Sequence, residues 1–341
     1  MSEILIRTSK EYAVKIERGI LDRIGQECRA VISPCKAVIV SGENVFPIYG
    51  ERLRSSLKSA GFEVLCFTHK SGEDAKSLDS FGALQSFLCE NRVSRTDALF
   101  ALGGGVTGDL AGFAAATYQR GISFVQIPAT LLAAVDSSVG GKTAINLPGG
   151  KNQVGAFYQP NAVFCDPDVF KTLAPEDYRG GCAEVIKYGV LGDAEFFSFL
   201  EENDIRENEE YVISRCVEMK RDIVEKDEFD KGMRRLLNLG HTVGHAVEKL
   251  SDFSIHHGDA VAIGMASVMR GNPGESRVLA LLERYNLPTV CPYGADEIAA
   301  VCMADKKIGH GVLNLVVPER IGNCRIVPIE INNLKSWLEN V

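Results

Sequence analysis

The chain has 341 residues, of which 45% are hydrophobic and 24% charged, and its formal net charge is −8. That length accommodates about two domains of ordinary size. The hydrophobic content excludes an intrinsically disordered chain, and the acidic balance excludes a general nucleic-acid footprint, so an anionic ligand can bind only where the fold builds a locally basic pocket. The ten cysteines form no CxxC pair and sit in apolar stretches such as EVLCF and AVFCD, which predicts packed thiols and not disulfides. No run approaches the roughly 20 apolar residues of a membrane span. The first residues alternate like a strand and lack a signal peptide's apolar core, so a cytoplasmic protein with no membrane partner is expected.

In chain order, KAVIVSG (36–42), FEVLCFT (62–68), DALFALGGG (97–105) and SFVQIPA (123–129) read as buried strands. Amphipathic segments at 46–60 and 78–91 lie between them, so parallel βαβ units are the economical arrangement. From about residue 172 the texture becomes helical, with helix-period patterns at 175–189, 192–202, 208–226, 232–250 and 258–269. Short β-like runs return only near 312–317 and 323–329. The expected architecture is an α/β nucleotide-type domain with a parallel sheet over 1–171, then a mainly α-helical domain over 172–341, joined near DPDVFKTLAPED.

Residues 103–155 are short of charge. They hold only Asp109, Arg120, Asp136, Lys142 and Lys151, together with 11 of the chain's 33 glycines. A solvated surface would carry more charges and a plain core none, so the pattern points to a cavity in which each charge meets something specific. Gly103, Gly105 and Gly108 fit G-x-G-x-x-G where a strand gives way to a helix, the setting in which backbone N–H groups approach a pyrophosphate. A tight strand–helix turn also wants glycine. No acid follows about 20 residues downstream to hold a ribose, which argues against an ordinary Rossmann dehydrogenase. Lys142 and Lys151 flank a stretch rich in Gly, Pro and Asn that reads as a loop suited to phosphate oxygens.

A second cluster lies in RRLLNLGHTVGHAVE, 234–248. Arg234, Asn238, His241 and His245 are spaced by four, three and four, which predicts one polar face on a helix over 232–250. Glu184 and Lys187 share a face of an otherwise apolar helix, and His256 and His257 precede a glycine at a helix start. A metal needs about three protein ligands and an open position. Glu184, His257 and one histidine of the pair can supply them, and spacing alone does not choose between His241 and His245.

The segments GGGVTGDLAGFAAATYQRG, VDSSVGGKTAIN, GKNQVGAF, GCAEVIKYG and LNLGHTVGHAVE together resemble the 3-dehydroquinate synthase family of sugar-phosphate cyclases, and the likeness covers nearly the whole chain. It implies a dehydroquinate synthase-like fold, a Rossmann-like domain and a helical one with the active site between them, NAD and one divalent metal (Zn or Co), and a homodimer. By that resemblance the metal ligands are Glu184, His241 and His257, and His245 lies near the substrate phosphate. Cofactor contacts fall on Ser71, Gly72, Glu73, Asp74, Ala75 and Lys76, and on Gly104, Gly105, Val106, Thr107, Gly108 and Asp109. Further cofactor contacts are Ala129, Thr130, Lys142, Lys151, Val169, Phe170, Lys171 and Thr172. Substrate and catalytic positions are Asp136, Lys142, Asn152, Lys187, Lys220, Arg234, Asn238 and Lys306, with Arg120 reaching phosphate across the dimer interface.

The reaction implied is conversion of an anionic sugar phosphate, 3-deoxy-D-arabino-heptulosonate 7-phosphate, to 3-dehydroquinate and phosphate. It runs through transient oxidation by NAD, phosphate elimination, return of the hydride and an internal aldol closure. Three departures from the family pattern stand out. Ala129 replaces the usual threonine, Gly42 replaces an acid near the adenosine ribose and leaves Glu73 as the expected ribose partner, and the chain is shortened through GNPGES near 270–276.

Overall fold

The structure is a computed structural model that describes residues 2–303 and 311–340. It forms two compact units, Met1–Leu173 and Ala174–Val341.

In the first unit the strands are β1 (Ser2–Arg7), β2 (Glu11–Ile16), β3 (Lys36–Gly42), β4 (Glu63–His69), β5 (Ala98–Gly103), β6 (Ser123–Pro128), β7 (Lys142–Leu147), β8 (Gly150–Phe157) and β9 (Ala162–Cys165). The main sheet runs β1-β2-β9-β6-β5-β3-β4. Every neighbouring pair is parallel except the β1–β2 hairpin. The helices α1 (Ile24–Cys28), α2 (Glu51–Ser59), α3 (Leu78–Glu90) and α4 (Gly105–Thr117) connect the strands. Strands β3 and β5 read as continuous apolar runs because they are covered on both faces, and both are buried nearly throughout. Val38, Val40, Leu99 and Ala101 pack with Leu110, Phe113 and Phe124 into one core.

The stretch that reads as a loop between Lys142 and Lys151 is a hairpin, β7 paired antiparallel with β8. Its Gly, Pro and Asn content hid a period-2 pattern in which Thr143 and Ile145 are buried and Lys142 is exposed. The hairpin lies so close to α4 that a Cβ on Gly112 would sit 2.4 Å from Thr143 Cγ2.

The second unit is mainly helical: α5 (Pro175–Gly192), α6 (Ala194–Glu202), α7 (Glu209–Val224), α8 (His241–Leu250), α9 (His257–Met269), α10 (Glu275–Arg284), α11 (Ala295–Met303) and α12 (Leu334–Asn340). One antiparallel pair, β10 (Val312–Arg320) and β11 (Asn323–Glu330), joins α8, α9 and α11 around a core that includes Val243, Val247, Ile263, Ile298 and Leu315. In the shortened stretch α9 ends at Met269 and α10 begins at Glu275 behind Gly274, whose φ is 94°. No helix of the described residues is long and apolar enough to cross a membrane. All ten cysteines are free thiols, five of them buried.

The continuous helix expected over 232–250 is broken. Met233–Asn238 forms a 3-10 stretch, Leu239 turns extended, Gly240 takes φ 77° and α8 starts at His241. The cause is packing against α9, where a Cβ on Gly240 would stand 2.8 Å from Val261 O and 2.9 Å from Met265 N. Arg234 and Asn238 therefore do not share a helix face with His241 and His245.

Candidate active site

In the first unit, winding reverses between β3 and β5, since β4 lies outside one and β6 and β9 outside the other. Ligands of open α/β sheets bind at the carboxyl ends of strands at such a switch point. The loops leaving β3, β4, β5 and β6 carry Gly42, residues 71–76, residues 104–109 and Ala129–Thr130 respectively. Gly104 caps α4, and none of Gly103, Gly104, Gly105 and Gly108 has a positive φ. They are needed for close approach: an added Cβ would meet Thr107 Oγ1 at 2.3 Å from Gly103, Thr130 Cγ2 at 3.1 Å from Gly104, Ser137 Oγ at 3.1 Å from Gly105 and Gln126 Oε1 at 2.7 Å from Gly108.

Lys76, only 5% exposed, ties three predicted positions together. Its ammonium donates to Asp109 Oδ2 at 2.7 Å and Asn152 Oδ1 at 2.5 Å, and Glu73 Oε1 lies 3.7 Å away. Asn146, which the sequence did not single out, closes the network. Its amide donates to Glu73 Oε1 at 2.7 Å, and its carbonyl oxygen accepts from the Asn152 backbone at 2.8 Å, holding Asn152 at φ 55°. His69 Nε2 meets Thr107 Oγ1 at 3.0 Å, and burial pushes that imidazole down from its usual range. Gly72 bends at φ 93°, Ser71 and Asp74 are exposed, and Ala75 is buried.

Other predicted positions of this unit lie on its core, turns and hairpin. Val169 and Phe170 are core side chains, which leaves only their backbone for a ligand. Val169 O accepts from Tyr49, Thr172 shares a hydrogen bond with the same hydroxyl, and Lys171 pairs with Asp168 at 2.7 Å. Ala129 is buried, with its N–H on Gly103 O at 2.8 Å, so the missing threonine hydroxyl leaves the turn itself intact. Asp136 lies half-buried in the helical turn Ala133–Ser137, and Lys142 and Lys151 sit on the two paired hairpin strands. Arg120 is exposed, in a run of left-handed residues: Gln119 at φ 52°, Arg120 at 66° and Gly121 at 121°.

In the second unit three helices converge through glycines. A Cβ on Gly258 would lie 2.2 Å from Gly180 Cα, so α5 and α9 touch backbone to backbone. A Cβ on Gly244 would lie 2.9 Å from Ala260 O, and one on Gly264 would lie 1.9 Å from Gly240 O, which binds α8 to α9. Arg179 of α5 clasps Asp259 of α9 through two bonds of 3.0 and 2.7 Å. Glu184 follows Gly180 by one turn, His257 adjoins Gly258 and His241 adjoins Gly240.

The ligand atoms of Glu184, His241 and His257 accordingly lie within 4.8 Å of one another. His241 Nε2 is 3.5 Å and His257 Nε2 3.4 Å from Glu184 Oε1. One carboxylate and two imidazoles are a donor set suited to a divalent transition-metal ion. Lys187, 1% exposed, bonds Glu184 Oε2 at 2.5 Å and lies over the Tyr188 ring. Burial pushes His241 strongly down, with Lys187 and the other two imidazoles adding to the effect. Burial opposes charge on His257 too, but the hydrogen bonds and charges of Glu184 and Glu248 outweigh it and push that imidazole up.

His245, exposed at the surface of α8, stacks edge-on to His241 at 5.3 Å. With Glu248 and His257 it makes a second trio whose ligand atoms also lie within 4.8 Å. Glu248 was legible in principle, because it follows His241 by seven and His245 by three, the spacing of one helix face. Lys220 and Arg234 are 5% and 2% exposed, and Asn238 is exposed. Lys306 lies outside the described residues.

Residues 66–180 match the family described as 3-dehydroquinate synthase N-terminal, and residues 181–308 the family described as 3-dehydroquinate synthase C-terminal. A 3-dehydroquinate synthase of Nostoc punctiforme is 45% identical over 92% of this chain and 92% of its own. Among solved structures, a 2-deoxy-scyllo-inosose synthase complexed with carbaglucose-6-phosphate, NAD+ and Co2+ superposes with a TM-score of 0.88 at 24% identity, covering 99% of each chain. A 2-epi-5-epi-valiolone synthase of Streptomyces hygroscopicus, with NAD+ and Zn2+ bound, gives 0.86 at 26% identity over 98% of each chain. With both family matches in register and relatives aligned almost end to end, this chain belongs to the 3-dehydroquinate synthase family.

Proposed function

We propose that the protein converts 3-deoxy-D-arabino-heptulosonate 7-phosphate to 3-dehydroquinate and phosphate, the carbon–oxygen lyase step of the shikimate pathway, as a cytoplasmic homodimer. The observation that carries this reading is the burial of three cations, Lys187, Lys220 and Arg234, in the unit that holds the Glu184, His241 and His257 cluster. A substrate carrying both a carboxylate and a phosphate calls for cations at each end, which a neutral polyol would not, and Lys220 and Arg234 are suited to one of those anions.

NAD, when bound, supplies a hydride acceptor that is refilled in the same cycle, and a divalent ion held by Glu184, His241 and His257 supplies positive charge beside the reacting hydroxyl. The chain's own residues place charge and hold geometry. Lys76 anchors Asp109, at the start of α4, to Asn152 on the hairpin, so the cofactor residues and a substrate residue move as one piece. Glu73, oriented by Asn146, receives the ribose hydroxyls in place of the acid absent at Gly42. Lys220 and Arg234 take the substrate carboxylate, with Asn238 beside them. In the second unit His245 is the group for the departing phosphate; in the first, Lys142 and Arg120 are its candidate cations, Asp136 is a further substrate contact and Lys151 serves the cofactor. Lys187 pairs with Glu184 Oε2 and leaves Oε1 facing the two imidazoles.

The purified protein, given the heptulosonate phosphate, a divalent metal and substoichiometric NAD, is expected to release many phosphates per NAD with no lasting rise in reduced-cofactor absorbance. Stoichiometric accumulation of reduced NAD would identify a polyol dehydrogenase instead, and a carbocycle other than 3-dehydroquinate would identify a sister cyclase.

The left-handed run at 119–121 costs on the order of 1–3 kcal/mol for each non-glycine residue, a strain the fold keeps in order to project Arg120 outward. Arg120→Ala is expected to lower turnover at least tenfold while leaving metal content and melting temperature unchanged. In the homodimer, a heterodimer of Arg120→Ala with His257→Ala then regains one intact site of its two. Heterodimers of verified mass that stay inactive would place Arg120 outside the partner's site.

A further inference from the structure

We propose that Glu248 is the positioning residue for His257, fixing which ring nitrogen faces the metal and in which direction. This rests on the reading of Glu184, His241 and His257 as the metal-holding trio.

An imidazole offers a lone pair through Nε2 only when its proton sits on Nδ1. His241 and His257 both turn Nε2 toward Glu184 Oε1, at 3.5 and 3.4 Å. Each then has its Nδ1 on a group that can only accept. His241 Nδ1 lies 3.0 Å from the Leu239 carbonyl oxygen, made available by the break before α8. His257 Nδ1 lies 3.3 Å from Glu248 Oε2. With an ion taking the place of any proton on Nε2, both rings would keep their remaining proton on Nδ1, one held by the backbone and the other by a carboxylate.

The two acceptors are not equivalent. A carbonyl orients its ring, whereas an ionised carboxylate also raises the basicity of the far nitrogen. Glu248 is 4% exposed, so water screens its charge little. Lys187 offsets Glu184, so with a doubly charged ion the group would carry about +2, and Glu248 lowers that to about +1. The placement is also rigid: Glu248 comes from the last turns of α8 and His257 opens α9, and Gly244 and Gly264 hold these helices at backbone contact.

The test uses protein stripped of metal, titrated with Co2+ against a competing chelator at one fixed pH, and the visible spectrum of the Co2+-loaded form. Outer-shell partners of metal-binding histidines are worth about 10–100-fold in affinity. Glu248→Ala is expected to bind Co2+ weaker by that factor, with a spectrum of the parent's shape and intensity, because the ligands are unchanged. Glu248→Gln retains an oxygen that accepts from Nδ1–H and is nearly isosteric, so it is expected to recover part of the loss. Parent affinity in Glu248→Ala, or a Glu248→Gln protein no tighter than Glu248→Ala, would overturn the proposal. So would a change in spectral intensity, which would make Glu248 a ligand in the trio with His245. His257→Ala separates the two levels of inference. If it binds Co2+ as tightly as the parent, the ligand trio itself is wrong; if it loses Co2+ while Glu248→Ala does not, only the positioning role fails.

Discussion

His257→Ala and His241→Ala are each expected to lose bound metal and turnover together, and His245→Ala to keep the metal while losing most of its turnover. The three ligand atoms meet within 4.8 Å, and each histidine supplies one of only three protein donors. Losing a donor therefore costs more than the roughly 10–100-fold that an outer-shell group is worth. His245 is exposed, and its ring lies 6.1 Å from that of His257. Removing it leaves the Glu184 trio whole and, on the proposed reading, takes away a group for the substrate phosphate. Glu184 is the poorer probe, because its loss strands Lys187 at 1% exposure, and breaking a buried pair costs about 3–5 kcal/mol of stability. Metal content measured on purified, dialysed variants decides the matter. If His245→Ala comes off empty and His241→Ala full, the ion belongs with His245, Glu248 and His257.

Gly264→Ala is expected to be the most damaging single methyl in the second unit. The added carbon would sit 1.9 Å from Gly240 O, 2.7 Å from its C and 3.0 Å from its Cα. These are backbone atoms, so no side chain can rotate aside. Gly240 itself sits at φ 77° against α9 and cannot yield without moving His241. Overpacking of a tight core costs about 1–3 kcal/mol or more, equivalent to a melting-point loss of about 2–4 °C per kcal/mol in a unit of this size. The variant is expected to melt about 2–12 °C low and to bind metal more weakly, since α8 and α9 carry two of the three proposed ligands. Gly82→Ala is the matched control. It lies in α3 with nothing within 4 Å of the new carbon, so better helix propensity is expected to stabilise by about 0.5–1 kcal/mol. Equal melting points for Gly264→Ala and the parent would show that α8 and α9 are not locked through Gly240.

The β3, β4, β5 and β6 strands, the helices between them and the helical second half are legible along the chain. The strands show as short continuous apolar runs, buried on both faces in β3, β5 and β6, and the helices as a period of 3.6, and both signals are local. The Glu184–Lys187 pair is legible too, being one turn apart in the stretch 180–192, whose other positions carry no charge. The β7–β8 hairpin was hidden because its Gly and Asn content reads as loop, whereas packing on α4 and the Asn146 bonds to Glu73 and Asn152 make it a strand pair. The break at Leu239–Gly240 was hidden because a spacing of four, three and four looks helical whether or not the chain is continuous. The sequence alone therefore determined which residue types the chain holds for metal, anion and nucleotide, and on which elements they ride. Which histidine nitrogen faces Glu184, and that Glu248 stands behind His257, only the tertiary structure decided. Those relations depend on backbone contacts at Gly180–Gly258 and Gly240–Gly264, between residues 78 and 24 positions apart, and contacts at such separations leave no period in the sequence.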